Sequence, residues 1–411
     1  MNYIKHEEEI NLRNYIESSI KQIMCLYNFK EIRTPVIIDK GLYKKYAEFS
    51  QRYVRIDIEK FAINLEGANN YCLRPEGTIS VLNSVFINEV VNKTQKIYYQ
   101  GPMFRKNLDS DNYSSQYHQV GAEILGSDNV ISDLEIILLA QSILSSMKLE
   151  NILVEISSHG CQKCIQPYLD ALREFLEFNY ENLCEECKEK MFDYPLTIHR
   201  CINSNCKTIS NMSPKYTDYL CVDCEKNFKI IKRLLSNLGI NCVVTPNLLL
   251  DFDYYTRFVF RFVYLHNDKQ YVLIKGGRYN NLASFITQTT MPAVGFSFSI
   301  DETIRIIKET NVKTMKKHEK SACIGAISKD MELQILQTEQ ELQNLGFKAI
   351  IIENLVDIRN IESIFKTYNC DIILLYEKDL IKDAKIILYS KNEQFGKTIE
   401  LKDLSKLTVG N

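Results

Sequence analysis

Gln116-Tyr-His-Gln-Val-Gly-Ala-Glu123, ten residues after Gly101-Pro-Met-Phe-Arg105, is the stretch whose reading decides the fold. Side chains alternate across a strand, so Gln119 and Glu123, four apart, face the same side. The strand-like run Lys96–Tyr99 precedes Gly101. The two segments therefore read as an antiparallel hairpin whose first strand ends at Arg105. A plain amphipathic hairpin does not account for a glutamine and a glutamate on its buried side, whereas a polar pocket does.

Outward from this hairpin the pattern mixes helices and strands. Residues 1–25 carry Ile10, Leu12, Tyr15, Ile16, Ile20 and Ile23 at roughly helical spacing. Strand-like runs fall at Phe61–Leu65, Gln119–Leu125, Ile152–Ile156, Cys242–Thr245, Phe258–Leu265 and Gln270–Ile274, and helices at Ser132–Met147 and from Ile300. Lys308–Lys320 is polar, lysine-rich and reads as a linker. Beyond it, strands at Ala322–Ala326, Lys348–Ile352, Asp371–Leu375 and Lys385–Tyr389 alternate with helices at Met331–Leu345 and Val356–Tyr368. That alternation predicts a small α/β unit with a mostly parallel sheet. The fold class expected is α+β: an antiparallel-sheet unit of residues 1–158 and 229–310, a helical cysteine-rich insertion at 159–228, and an α/β unit at 321–411.

The 411 residues are 45% apolar, enough for a sizeable core, and the net charge of −2 leaves no global basic field to draw in nucleic acid. The first nine residues are charged and lack an apolar leader segment, and no apolar run approaches the ~20 residues that a membrane span needs. The chain reads as cytosolic. In a reducing compartment, thirteen cysteines point to metal ligands or buried thiols before disulfides. Eight of them form close pairs, Cys161/Cys164, Cys184/Cys187, Cys201/Cys206 and Cys221/Cys224. These suit two tetrahedral Cys₄ zinc sites, with His159 and His199 as substitute ligands. Cys25, Cys72, Cys242, Cys323 and Cys370 stand in apolar contexts and are expected in the core.

Further segments complete a pattern. Glu31-Ile-Arg-Thr-Pro35, Leu73-Arg-Pro-Glu-Gly-Thr78, Asp253-Tyr-Tyr-Thr-Arg257, Gly276-Gly-Arg-Tyr279 and Pro292-Ala-Val-Gly-Phe296 flank the hairpin in a fixed order. Together they resemble the motifs of histidyl-tRNA synthetases, class II enzymes, over nearly the whole chain. The resemblance implies a homodimer that activates histidine with ATP and Mg²⁺ and transfers it to tRNA. It also implies roles. Glu76 and Thr78 would hold the histidine ammonium, a carboxylate and a hydroxyl being apt acceptors. Arg105 would stand at the α-phosphate, where carboxylate attack on an anionic phosphorus requires a fixed guanidinium. Gln119 and Glu123 would line the amino-acid pocket, and Asp253, Tyr254, Tyr255 and Tyr279 would close around the imidazole. The cysteine block resembles the family's helical insertion over the tRNA acceptor arm, and residues 321–411 its anticodon-reading domain. That last region carries eleven basic against fourteen acidic residues, a net −3.

The chain also departs from the family. Leu250 and Glu302 stand where the family carries arginines for phosphate, Tyr113 and Ser115 replace arginines of the hairpin loop, and Lys275 and Asn280 replace a glycine and an aspartate. An intact amino-acid pocket beside a weakened phosphate grip leaves two alternatives besides the ligase. One is a non-catalytic histidine-sensing paralogue, such as the regulatory subunit of ATP phosphoribosyltransferase. The other is a binding protein that uses the dimeric scaffold.

Overall fold

The computed structural model describes residues 7–42, 62–65, 68–88, 93–104, 116–149, 151–250, 254–267, 269–287, 290–310, 320–391 and 395–407. Arg105 and Asp253 lie outside the described residues, as does most of the expected linker.

An eight-stranded sheet dominates. In chain order its strands are β1 (Lys30–Glu31), β5 (Gln95–Phe104), β6 (Gln116–Leu125), β7 (Ile152–Ser158), β8 (Cys242–Val244), β9 (Thr256–His266), β10 (Lys269–Arg278) and β11 (Ala293–Ser299). They lie in the order β1-β5-β6-β11-β10-β9-β7-β8. Pairing is antiparallel from β5 to β7, and the short edge strands β1 and β8 join parallel to their neighbours. Runs such as Phe258-Val-Phe-Arg-Phe-Val-Tyr264 are rich in aromatic and β-branched residues, which suit a pleated buried surface. A small sheet of β2 (Ile37–Asp39), β4 (Ala68–Leu73) and β3 (Ala62–Leu65) leads into the helix Thr78–Asn88.

The helix Val130–Ser146 is buried on nearly every side, from Ile131 to Leu144, which places it inside the protein and not on its surface. The Asn129 side chain caps it by accepting from Ile131 N. The N-terminal helix Glu7–Leu26 buries Ile16, Ile20, Ile23 and Met24, one helical stripe, in the same core. Cys25, expected in the core, is exposed, because it lies off this stripe on the helix's outer side.

The C-terminal sheet has the order β13-β12-β14-β15-β16, from β12 (Lys320–Ala326), β13 (Phe347–Ile351), β14 (Ile372–Tyr376), β15 (Lys385–Ser390) and β16 (Lys397–Glu400). The expected mostly parallel sheet is mixed: β12, β13 and β14 are parallel, while β15 and β16 are antiparallel additions. The cause is local, since the links from β14 to β15 and from β15 to β16 are too short for a crossover helix.

This sheet and the large one share one apolar core, which runs from Ile16 through Leu134 and Phe298 to Leu374 and Leu404. Buried in their contact is an acidic group. Glu135, paired with Lys96, neighbours Glu339, which is fully buried. Burial, reinforced by the Glu135 charge, pushes the Glu339 carboxyl well above the usual range. A carboxyl raised in the folded state gives stability that is whole below its unfolded pKa and is lost as pH rises toward the folded one. Glu339→Gln should therefore melt higher relative to the parent as pH increases, with the gap wider at about pH 8.5 than at about pH 5.5. Thermal unfolding across that range checks it, and a gap independent of pH refutes the titration of Glu339.

Candidate active site

The pocket forms on one face of the large sheet where glycines let long side chains lie flat. Tyr99 on β5 faces Gly121 on β6, and Glu123 on β6 faces Gly295 on β11. A Cβ on Gly121 would lie 2.2 Å from the Tyr99 ring, and one on Gly77 only 2.0 Å from it. A Cβ on Gly295 would lie 1.7 Å from Glu123 Oε2. Glycine inside a strand commonly marks such close approach. The next positions on the same face, Ser297 and Lys275, are paired across β11 and β10 and also line the pocket.

Glu123 is the buried hub. Tyr279 donates to its Oε2 at 2.5 Å and Thr78 Oγ1 to its Oε1 at 2.9 Å. Burial pushes its carboxyl up to about 8; the nearby Glu76 adds to that, and the Tyr279 and Thr78 hydrogen bonds oppose it. Gln119, on the same face as expected, donates from Nε2 to Tyr99 Oη at 3.0 Å. Tyr254 stacks at a tilt against Tyr255, with ring centroids 4.7 Å apart, and meets Tyr279 edge-on at 5.7 Å.

Glu76 sits at the N-terminus of the helix Thr78–Asn88 and accepts from the backbone N–H of Thr78 (2.7 Å) and Ile79 (3.0 Å). Orphan amides and the positive helix end hold a carboxylate well there. Arg74 fixes the loop that carries it, donating from Nε to Pro102 O (3.0 Å) and from Nη1 to Thr34 O (2.9 Å) and Thr34 Oγ1 (2.8 Å). Gly101 makes room for that guanidinium, since a Cβ there would stand 2.5 Å from Arg74 Nη2. Arg278, next to Tyr279, turns away from the pocket to Asp133 (2.8 Å), Ser127 O (2.8 Å) and Asn129 O (3.1 Å).

Glu76, Thr78, Gln119, Glu123, Tyr254, Tyr255 and Tyr279 thus line one cleft, together with Leu250, Lys275, Gly295, Phe296 and Ser297. All seven described site residues meet there. The sequence reading gave no part to Tyr99, and it held Arg74 and Gly295 only as members of the Leu73–Thr78 and Pro292–Phe296 segments. Glu302, placed among the phosphate-gripping positions, is buried and ion-paired with Arg305, whose guanidinium lies over the Tyr271 ring at 4.7 Å.

Comparison with known proteins establishes the family. The histidyl-tRNA synthetase family model matches residues 45–173 and 210–303. The chain belongs to the histidyl-tRNA synthetase family. A histidine–tRNA ligase of Halothermothrix orenii is 34% identical over 306 residues, 73% of this chain and 71% of that protein. One from Nitratiruptor is 35% identical over 290 residues, 70% of each chain. The crystal structure of apo histidyl-tRNA synthetase from S. aureus superposes with a TM-score of 0.60 over 99% of both chains at 24% identity. A Bacillus halodurans structure titled as an ATP phosphoribosyltransferase regulatory subunit/histidyl-tRNA synthetase gives 0.52 over 89% of this chain and 94% of its own, at 18% identity. Both likenesses bear on fold alone. No helix among the described residues is long and apolar enough to cross a membrane.

The segment between β7 and β8 is built from helices Gln162–Phe178, Glu185–Lys190, Ser204–Met212 and Val222–Asn237. Its cysteines gather as nested fours, Cys161/Cys164/Cys221/Cys224 and Cys184/Cys187/Cys201/Cys206, each with all its sulfurs within 4.8 Å of one another. Cys161, Cys184 and Cys221 occupy helix N-cap positions, and their CxxC partners sit in the first turn of the same helices. Sγ separations of 3.8 Å (Cys161–Cys164), 3.9 Å (Cys161–Cys221) and 3.7 Å (Cys184–Cys201) agree with a zinc tetrahedron. Zn–S bonds of about 2.3 Å put its corners about 3.8 Å apart. The donor set therefore fits zinc.

The two histidines are not needed as ligands. His159 Nε2 meets Leu248 O at 2.8 Å, and His199 is engaged at both nitrogens, by Tyr168 Oη (2.9 Å) and Ser210 Oγ (2.8 Å).

Gly295→Ala should destabilise the fold by about 1–3 kcal/mol through overpacking against Glu123, and should lower histidine affinity at least ~10-fold by displacing that carboxyl. Melting and calorimetry together check both. Elemental analysis of the purified protein should find zinc near two atoms per chain. Cys206→Ser should remove about one of them, and a zinc content unchanged by that substitution refutes the inner site.

Proposed function

We propose that the protein is a histidine–tRNA ligase, which joins histidine to AMP at the expense of ATP and passes the histidyl group to tRNA. The observation that carries this reading is the convergence of Glu76, Gln119, Glu123 and Tyr279 on one buried pocket. Such a set suits a small zwitterion with a heteroaromatic ring: one carboxylate for the ammonium, a second carboxyl with a phenol for ring N–H and N, and aromatic walls for the ring plane. The same assignment treats residues 1–158 with 229–310 as the catalytic unit, 159–228 as a zinc-stabilised insertion and 321–411 as the tRNA-facing unit.

In the chemical step the histidine carboxylate attacks the α-phosphorus of ATP in line, and pyrophosphate, bound with Mg²⁺, leaves. Arg105, directly after β5 in the sequence, is the candidate donor for the charge that builds on the phosphoryl oxygens. Glu76, held by two backbone amides, orients the ammonium, and Glu123 with Tyr279 and Gln119 fixes the ring. Positioning of this kind turns a slow bimolecular encounter into an intramolecular one. Homodimerisation through the Glu31–Pro35 segment belongs to the same proposal. In the C-terminal unit, Lys382 and Lys385 each stand beside an aspartate, at 3.2 Å from Asp379 and 3.9 Å from Asp383, which weakens that loop as a phosphate patch.

Leu250 in the pocket wall favours a second reading, a paralogue that binds histidine without activating it, since an aliphatic side chain there supplies no charge to a phosphate. Histidine-dependent exchange of labelled pyrophosphate into ATP separates the two. Exchange is expected, and Arg105→Ala should reduce it ~10²–10³-fold while leaving histidine affinity within a few-fold. No exchange at high protein concentration, with histidine binding still measurable by calorimetry, refutes the ligase and leaves the sensor.

A further inference from the structure

The aromatic walls of the cleft stand at two strand ends. Tyr254 and Tyr255 precede β9, and Tyr279 follows β10. From Ile274 to Gly277 the ladder between these strands is regular, but at the end nearest the cleft it slips. Gly277 pairs with Val259 and Arg278 with Thr256, so Arg257 and Phe258 have no partner position on β10. An irregularity of this kind bends a strand and re-aims its side chains. Arg257 also takes a left-handed backbone, with a φ of 54°, which side chains other than glycine seldom adopt. Backbone pairing therefore does not set the distance from Tyr254 to Tyr279, whose rings meet edge-on at 5.7 Å.

One carboxylate bridges the two ends. Arg257 Nη1 donates to Asp128 Oδ1 at 2.8 Å and to Oδ2 at 3.0 Å, Asn280 Nδ2 donates to Oδ1 at 2.9 Å, and Arg278 Nη1 donates to Oδ1 at 3.3 Å. The first donor stands two residues after Tyr255, and the other two flank Tyr279. Asp128 is itself anchored, because the buried Arg278 also donates to the carbonyls of Ser127 and Asn129 on either side of it. Asn280 is oriented by the backbone: Ala293 N donates to its Oδ1 at 3.2 Å, which leaves the amide nitrogen for Asp128. A carboxylate at 128 thus calls for an amide at 280, since an aspartate there would set two negative charges against each other. The Asp128 and Arg257 side chains are 46% and 33% exposed, and ion pairs so open to water add little to stability. What this contact contributes is geometry.

We propose that Asp128 is a positioning residue for the bound amino acid: with Asn280 it sets the gap between the Tyr254–Tyr255 wall and Tyr279 in which the imidazole lies. Asp128 does not line the cleft and acts only through the residues it gathers. This assignment rests on the histidine-binding reading above. It makes residues 128 and 280 one unit, in which a carboxylate and an amide may change places but two carboxylates cannot face each other.

The test is a swap. Calorimetric titration with histidine and thermal melting are run on the full-length protein, on Asn280→Asp, on Asp128→Asn and on the double variant that carries both. The substitutions are isosteric, so packing is kept. Asn280→Asp should bind histidine ~10-fold or more weakly, and the double variant should return to within about 3-fold of the parent. Asp128→Asn, which removes the charge without adding another, should lie between, with melting within about 3 °C of the parent. It decides the matter alone if Asn280→Asp melts early. A loss that the double variant does not recover, or the absence of a loss in either single variant, overturns the assignment and leaves Asp128 a surface ion pair. A parent protein that does not bind histidine overturns the histidine-binding reading itself, and the assignment with it.

Discussion

A carboxyl group buried at the centre of the large sheet governs this structure. Glu123 survives there because Thr78 and Tyr279 satisfy its two oxygens and because Gly295 leaves the space its side chain crosses. An unsatisfied polar group at that depth would cost roughly 1–3 kcal/mol, and an unpaired charge more. The three partners come from a helix start, the end of β10 and β11, so the tertiary fold must form before Glu123 is tolerable. Binding chemistry and folding are coupled at this point. The polar atoms that a ligand ring would use are the ones that hold three segments together, and a carboxyl poised near 8 can hold or release a proton under ordinary conditions.

The surrounding order follows from that constraint. Tyr99 lies flat because Gly77 and Gly121 bracket its ring, and its hydroxyl then orients Gln119. Arg74 pins the loop before the helix Thr78–Asn88, which sets Glu76 on the helix's amides. Gln119 and the loop that carries Glu76 are thus held by side chains that do not themselves line the cleft, and rigidity of this kind keeps a site within the tolerance that chemistry needs.

Much of this was legible in the sequence, for identifiable reasons. The four-residue separation of Gln119 and Glu123 reports a strand face directly, and the CxxC pairs report metal-ligand spacing. What stayed hidden depended on distant pairing. Spacing alone gave four cysteine pairs but not their nesting, 161/164 with 221/224 around 184/187 with 201/206, because the intervening helices decide which pairs meet. The two histidines looked like spare ligands until Tyr168, Ser210 and Leu248 were seen to engage them. The alternation after residue 320 suggested parallel strands throughout, but β15 and β16 turn back because their links are too short to cross over. Gly295 carried no sign of the carboxyl it accommodates, since that contact joins residues 172 positions apart in the chain.

Two of the departures from the family, Glu302 and Leu250, are physically different cases. Glu302 looked like a negative charge set against polyphosphate, yet its carboxylate is buried and neutralised by Arg305 one helical turn on, and that guanidinium is occupied by Tyr271 as well. An ion pair of this sort neither repels nor grips a phosphate strongly, so position 302 is a lost contact and not an added repulsion. Leu250 is different, for it removes a charge from the wall of the amino-acid pocket itself. Coulomb attraction falls with distance and with access of water, so compensation has to come from a side chain that reaches the same wall. Residue 250 therefore marks a deficit of charge in the wall of the cleft itself, where Lys275 is the cation among the described lining residues.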